Sequence, residues 1–225
     1  MDKHLHIEGL HVGYNNLPIL HGVQCDFKSG ELTALIGRNG MGKSSFLRTL
    51  AGLQKPLSGK VFWKNKDLLT LSPRERAQHV SIVLTERIPL QGIDVWTLLE
   101  MADYPSIGGF RIFPRQSDEL KLKIERSLEI LGIAHLSAKS LAELSDGEMQ
   151  KVMIARSLVQ NTPVILMDEP TAFLDYVAKE ELFEQLKSLV KTEDLLILFT
   201  SHDLDLVNRY ADKIYKIEEG TILMT

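Results

Sequence analysis

Short, nearly unbroken apolar runs recur along the chain at Leu32 to Ile36, Val80 to Leu84, Val164 to Met167 and Leu195 to Phe199. A strand with one wet face alternates, whereas a strand covered on both faces reads as a continuous run, so these four predict a mostly parallel sheet flanked by helices. Val23-Gln24-Cys25-Asp26-Phe27 alternates instead and puts Cys25 on a buried strand face. Lys213 to Ile217 and Thr221 to Met224, around Glu218-Glu219-Gly220, predict a β-hairpin. Leu120, Ile124, Leu128 and Leu131 repeat at helical spacing, with Gly132 placed to stop the helix. Residues 92–158 hold no convincing strand and read as a helical subdomain inserted into a core made of residues 1–91 and 159–225. The entrance to that lobe, Tyr104-Pro105-Ser106-Ile107-Gly108-Gly109, is rich in turn formers and is expected as loop.

Composition narrows the class without naming a chemistry. With 225 residues, 44% of them hydrophobic and 25% charged, one globular domain is the expectation. The single cysteine excludes an intramolecular disulfide and any cysteine-built metal cluster, which suits a reducing compartment. No apolar run approaches the roughly 18–20 residues that cross a bilayer, and Met1-Asp2-Lys3-His4-Leu5-His6 lacks the basic start and apolar stretch of a signal peptide. A formal net charge of -4 with no basic stripe argues against a nucleic-acid partner. His4, His6, His11 and His21 cluster near the N-terminus, where solvated edge-strand side chains account for them and no metal role is assigned.

The chemistry enters directly after the Leu32 to Ile36 run. Gly37-Arg38-Asn39-Gly40-Met41-Gly42-Lys43-Ser44-Ser45 fits G-x-x-x-x-G-K-[ST] at every fixed position. Glycines let backbone N–H groups turn inward around phosphate oxygens, and a helix starting at Lys43 adds its positive end. Lys43 is then placed for the β- and γ-phosphates of a nucleoside triphosphate and Ser44 for Mg²⁺. Such a site needs an acid at the end of a neighbouring buried strand, and Val164-Ile165-Leu166-Met167-Asp168 supplies one for Mg²⁺. Glu169 beside it is the candidate to orient and polarise the attacking water. The fold class is therefore α/β: a P-loop NTPase core with a mostly parallel sheet, an N-terminal antiparallel β part and an inserted α-helical subdomain.

Leu144-Ser145-Asp146-Gly147-Glu148-Met149-Gln150 adds a signature loop similar to Leu-Ser-Gly-Gly-Gln, and with it the chain resembles the ATP-binding subunits of ATP-binding cassette (ABC) transporters. The same Ser145-x-x-Glu148 spacing is also a helix capping box, and both roles are compatible. The resemblance implies a head-to-tail homodimer in which the P-loop of one subunit and Ser145, Asp146, Gly147 and Glu148 of the other enclose each ATP. It further implies that Tyr14 stacks on adenine, that Asp175 in Ala172-Phe173-Leu174-Asp175 joins the two nucleotide sites, and that His202 contacts the γ-phosphate and holds Glu169 and water.

The chain departs from the family at the slot after the Val80 to Leu84 run, where a glutamine usually touches Mg²⁺. Thr85 falls there, followed by Glu86, and the metal ligand stays open between these two; Gln91 comes six residues late. What the resemblance implies is an ATPase docked peripherally on the cytoplasmic side of the inner membrane, on separate permease subunits served by a substrate-binding protein. Gly92-Ile93-Asp94-Val95-Trp96-Thr97-Leu98-Leu99-Glu100, with a glutamate in the signature loop, looks most like the iron-siderophore, haem and cobalamin uptake ATPases. An exporter or lipoprotein-releasing ATPase and a non-transport ABC protein share the same motifs and stay as alternatives.

Overall fold

The computed structural model describes residues 4–85, 92–106 and 117–225. In chain order these form β1 (His4–Tyr14), β2 (Leu17–Lys28), β3 (Leu32–Ile36), α1 (Lys43–Leu50), β4 (Ser58–Trp63), β5 (Lys66–Asp67), α2 (Pro73–Arg76) and β6 (Val80–Val83). There follow α3 (Val95–Glu100), α4 (Asp118–Ile130), α5 (Asp146–Val159), β7 (Val164–Met167), α6 (Tyr176–Thr192), β8 (Leu196–Thr200), α7 (Leu204–Tyr210), β9 (Lys213–Glu218) and β10 (Thr221–Met224).

The central layer is a six-stranded sheet in the order β10-β9-β3-β8-β7-β6. The pairs β9-β3, β3-β8, β8-β7 and β7-β6 are parallel, and β10 closes one edge as the antiparallel half of the expected hairpin. Strand side chains alternate between faces, so each apolar run divides between two cores. Ile165, Met167, Ile197 and Phe199 join one core with Ile124 of α4, Ile154 of α5 and Phe183 of α6. Val164, Leu166, Leu196 and Leu198 join the other with Phe46 and Leu47 of α1 and with Leu5 and Phe27.

Leu5 and Phe27 come from a second, four-stranded antiparallel sheet in the order β2-β1-β4-β5, which covers the α1 side. Its alternation slips once in each long strand. Leu5 and Ile7 are buried at odd positions of β1, then Leu10 and Val12 at even ones; β2 changes phase between Leu20 and the set Val23, Cys25 and Phe27. The pairing shifts register between Ile7↔Cys25 and Leu10↔Val23, at Gly9, and again between Leu10↔Val23 and Val12↔Leu20, at Gly22, and both glycines have φ of +56°. Left-handed glycines of this kind form bulges that absorb an extra residue, which keeps every apolar side chain facing inward. Cys25 is buried as its alternation predicts, and that burial pushes its thiol pKa up.

Helices α3, α4 and α5 are inserted between β6 and β7. The Ser117 side chain caps α4 by accepting from the Leu120 N–H, and Leu120, Ile124, Leu128 and Leu131 are all buried. Gly132, at φ +68°, ends that helix where the sequence places its stop. Met101–Ser106 forms a 3-10 helix where the Tyr104 to Gly109 stretch predicts loop from its start. Such turns are frequent where an α-helix ends, here α3. Ile107, Gly108 and Gly109 lie outside the described residues.

Phe183 is fully buried between Phe199 and Tyr210, at ring-centroid distances of 5.0 and 5.5 Å. Phe183→Ala is expected to cost about 3–5 kcal/mol in denaturant unfolding, whereas Leu223→Ala, on the exposed part of β10, should stay within about 0.5 kcal/mol.

Candidate functional site

Because β3, β6, β7 and β8 run in parallel, the segments that follow them leave the sheet at one edge. The loop after β3 turns directly into α1. Gly42 caps that helix at φ +98°, and a Cβ there would lie 2.9 Å from Cγ2 of Ile19, so backbone conformation and close approach both require glycine. Lys43 is 6% exposed, and its ammonium donates to the carbonyl oxygens of Gly37 at 2.8 Å and Arg38 at 3.4 Å. The loop thus holds a buried cation by its own carbonyl groups, and the N-terminus of α1 contributes a second positive potential. Met41 packs against the second core, while Arg38 and Asn39 are exposed.

Asn39, Gly40, Gly42, Lys43, Ser44 and Ser45 line a cleft of about 480 Å³ together with Tyr14, Thr85, Asp168 and Glu169. Tyr14 is half-exposed at the rim, and its hydroxyl shares a 2.9 Å hydrogen bond with Oγ of Ser45. Thr85 is half-buried in the wall. Glu86 and Gln91 lie outside the described residues.

Asp168 leaves β7 with its N–H bonded to the Val83 carbonyl at 2.8 Å, and it is 5% exposed. The hydroxyl of Thr200, fully buried at the end of β8, donates to Oδ1 of Asp168 at 2.7 Å and accepts from the Glu169 N–H at 2.9 Å. One hydroxyl therefore fixes both acids. Glu169 has φ +47°, a left-handed conformation unusual for a non-glycine residue and often found where function demands it. The turn carries its carboxylate away from Asp168 and toward His202, whose Nδ1 lies 3.3 Å from Glu169 Oε2.

None of Ser145, Asp146, Gly147, Glu148 and Asp175 lines this cleft. Ser145 caps α5 in a complete capping box: its hydroxyl accepts from the Glu148 N–H at 3.3 Å, and Glu148 Oε2 accepts from the Ser145 N–H at 2.7 Å and hydroxyl at 2.8 Å. These bonds and the nearby Lys139 hold the Glu148 carboxyl down to about 2. Asp175 caps α6 by accepting from the Ala178 N–H at 2.9 Å. A Cβ on Gly147 would lie 3.1 Å from the Phe173 carbonyl oxygen and 3.1 Å from Leu174, so the start of α5 abuts the segment that leads to Asp175.

A family model described as ABC transporter matches residues 20–172. The chain belongs to the ABC transporter ATP-binding family. An uncharacterised ABC transporter ATP-binding protein of Methanocaldococcus jannaschii is 36% identical to this ABC ATPase over 219 residues, covering 97% of this chain and 74% of the relative. A probable siderophore transport system ATP-binding protein of Bacillus subtilis is 32% identical, covering 96% of this chain and 77% of the relative. Among solved structures, a dimeric post-hydrolysis ATP-binding cassette bound to ADP and Pi superposes with a TM-score of 0.81. It is 26% identical, covering 97% of this chain and 96% of that one.

Thr200 is a residue of this ABC cassette that sequence reasoning missed. A threonine closing a buried apolar strand reads as a β-branched strand former, and only the fold shows its hydroxyl between two acids. Thr200→Val keeps the shape and removes the hydroxyl, leaving the Asp168 oxygen and the Glu169 N–H without their partner. We expect a stability loss of about 1–3 kcal/mol in denaturant unfolding and a fall in ATP turnover of about tenfold or more, both largely restored in Thr200→Ser.

Proposed function

We propose that this ABC ATPase powers import of an iron-siderophore, haem or cobalamin through separate membrane permease subunits, acting as a head-to-tail homodimer. Each ATP lies between the Lys43 loop of one subunit and the Ser145 to Glu148 loop of the other. The observation that carries this reading is the split just described: Lys43, Ser44, Asp168 and Glu169 share one cleft, and the residues of the signature loop lie outside it. A second copy supplies what one subunit lacks.

Within each half-site, Lys43 binds the β- and γ-phosphates and Tyr14 meets the adenine at the rim. The donor set suits Mg²⁺, which prefers oxygen ligands. Asp168 Oδ1 is engaged by Thr200 and Oδ2 has no partner among the described residues, while the Ser44 hydroxyl lines the same wall. Ser44 and Asp168 would hold the ion, with Thr85 reaching it through water. Bound there, Mg²⁺ neutralises charge on the β- and γ-phosphates. Glu169 orients a water whose oxygen attacks the γ-phosphorus in line as the bond to the β-phosphate oxygen breaks. The water's proton passes toward the Glu169 carboxylate, and ADP and phosphate leave as the dimer opens. His202 keeps that carboxylate aimed and contacts the γ-phosphate.

No described helix is long and apolar enough to cross a membrane, which fits a peripheral subunit on the cytoplasmic face. A siderophore cargo is supported by the name of the Bacillus subtilis relative, and the import direction by the resemblance of the Gly92 to Glu100 segment, with Glu148, to uptake ATPases. A substrate-binding protein would feed the permease from the other side.

Glu169→Gln is expected to lower turnover by about 10²-fold or more and to trap an ATP-dependent dimer in sedimentation velocity; wild-type turnover would remove Glu169 from the mechanism. Co-purification with its permease, then assay in liposomes, should show hydrolysis stimulated by a binding protein loaded with ferric siderophore, haem or cobalamin. Stimulation by none of the three would overturn the substrate assignment.

A further inference from the structure

The signature loop carries an acid where its partner is triphosphate. Glu148 stands where the family usually has glutamine, and Oε2 of its carboxylate already holds both donors of Ser145, the N–H at 2.7 Å and the hydroxyl at 2.8 Å. A carboxylate at this place presents two obstacles to a γ-phosphate arriving from a second subunit. It repels the phosphate, and it competes for the one proton that the serine hydroxyl can donate.

Lys139 answers both. Its ammonium reaches the other oxygen, Oε1, at 3.2 Å, and both side chains are about two-thirds buried, with relative exposures of 34% and 29%. The backbone that carries Lys139 is fixed at both ends of the residue: its N–H donates to the Leu136 carbonyl at 2.9 Å, and its carbonyl accepts from the Val95 N–H at 3.1 Å. Ser140 beside it forms an isolated β-bridge with Asp94. The cation is therefore held on the side of Glu148 away from Ser145, where it offsets the carboxylate charge without occupying the serine hydroxyl.

We propose that Lys139 is a positioning residue for ATP-driven dimer closure: its contact with Glu148 Oε1 screens that carboxylate and lets the Ser145 hydroxyl turn from Glu148 to the γ-phosphate. The capping box alone requires only that Glu148 bond Ser145, and glutamine does that equally well, so the lysine is needed because the residue is charged. The proposal rests on the dimeric reading above, in which the loop meets ATP bound to the other subunit.

The test places Lys139→Ala and Glu148→Gln, separately, in the Glu169→Gln protein and measures the ATP concentration for half-maximal dimer by sedimentation velocity. Lys139→Ala should raise that concentration by about tenfold, the ratio that corresponds to about 1.4 kcal/mol. Glu148→Gln, which removes the charge, should move it the other way, to lower ATP. A contact that merely stapled the loop would send both variants to higher ATP, and that result overturns the proposal, as does an unchanged value in Lys139→Ala. ADP binding to the monomer reads the P-loop alone; an equal loss there would mean a disturbed fold and would also overturn it. Absence of an ATP-dependent dimer in Glu169→Gln itself would instead refute the dimeric reading, a failure distinct from the others.

Discussion

Burial of the parallel sheet on both faces constrains everything else in this molecule. With one core on each side of β3, β7 and β8, no side chain within those strands is available to solvent chemistry. Polar work is pushed to the strand ends, and parallel pairing delivers the ends of β3, β6, β7 and β8 to one edge. Lys43, Thr85, Asp168 and Glu169 meet in one cleft for that reason, although more than half the chain separates the first from the last. Thr200 is the point where the apolar interior gives way: the last residue of β8 is fully buried, yet its hydroxyl joins β8 to the two acids that end β7.

Much of this was legible from the order of residues because the signals were local. Continuous apolar runs located four of the five parallel strands within a residue of their ends, and the Gly37 to Ser45 spacing located the loop and helix that follow β3. Helical periodicity from Leu120 to Leu131 likewise survived, since four buried residues on one face and a glycine stop need no distant partner to be recognised. Thr85 was placed by the family resemblance and not by a local signal, and it does line the cleft.

What stayed hidden depends on contacts across long stretches of chain or on backbone angles. The phase slips of β1 and β2 could not be read from either strand alone, because a bulge is defined by the partner's register. The left-handed φ of Glu169 leaves no trace in residue type. Thr200 and Lys139 were passed over for a similar reason: a threonine in an apolar strand and a lysine in a polar loop each suit their local surroundings, and nothing local reveals the acid each one faces. The pairing of Glu169 with His202 was available only by resemblance, whereas the 3.3 Å contact gives it a physical basis.

The two acids that bracket the chemistry are handled in opposite ways. Glu169 stays on a strained turn with a histidine beside it, so its oxygen atoms are aimed but not consumed. Glu148 is consumed: one oxygen caps α5 and the other meets an ammonium. An aimed carboxylate can take a proton from water, while a neutralised one can sit near phosphate without repelling it. The close approach of Gly147 to the Phe173 carbonyl and the Leu174 side chain places the second acid's loop against the segment that leads to Asp175. In the proposed dimer, a half-site built this way has its electrostatics arranged before a second copy arrives.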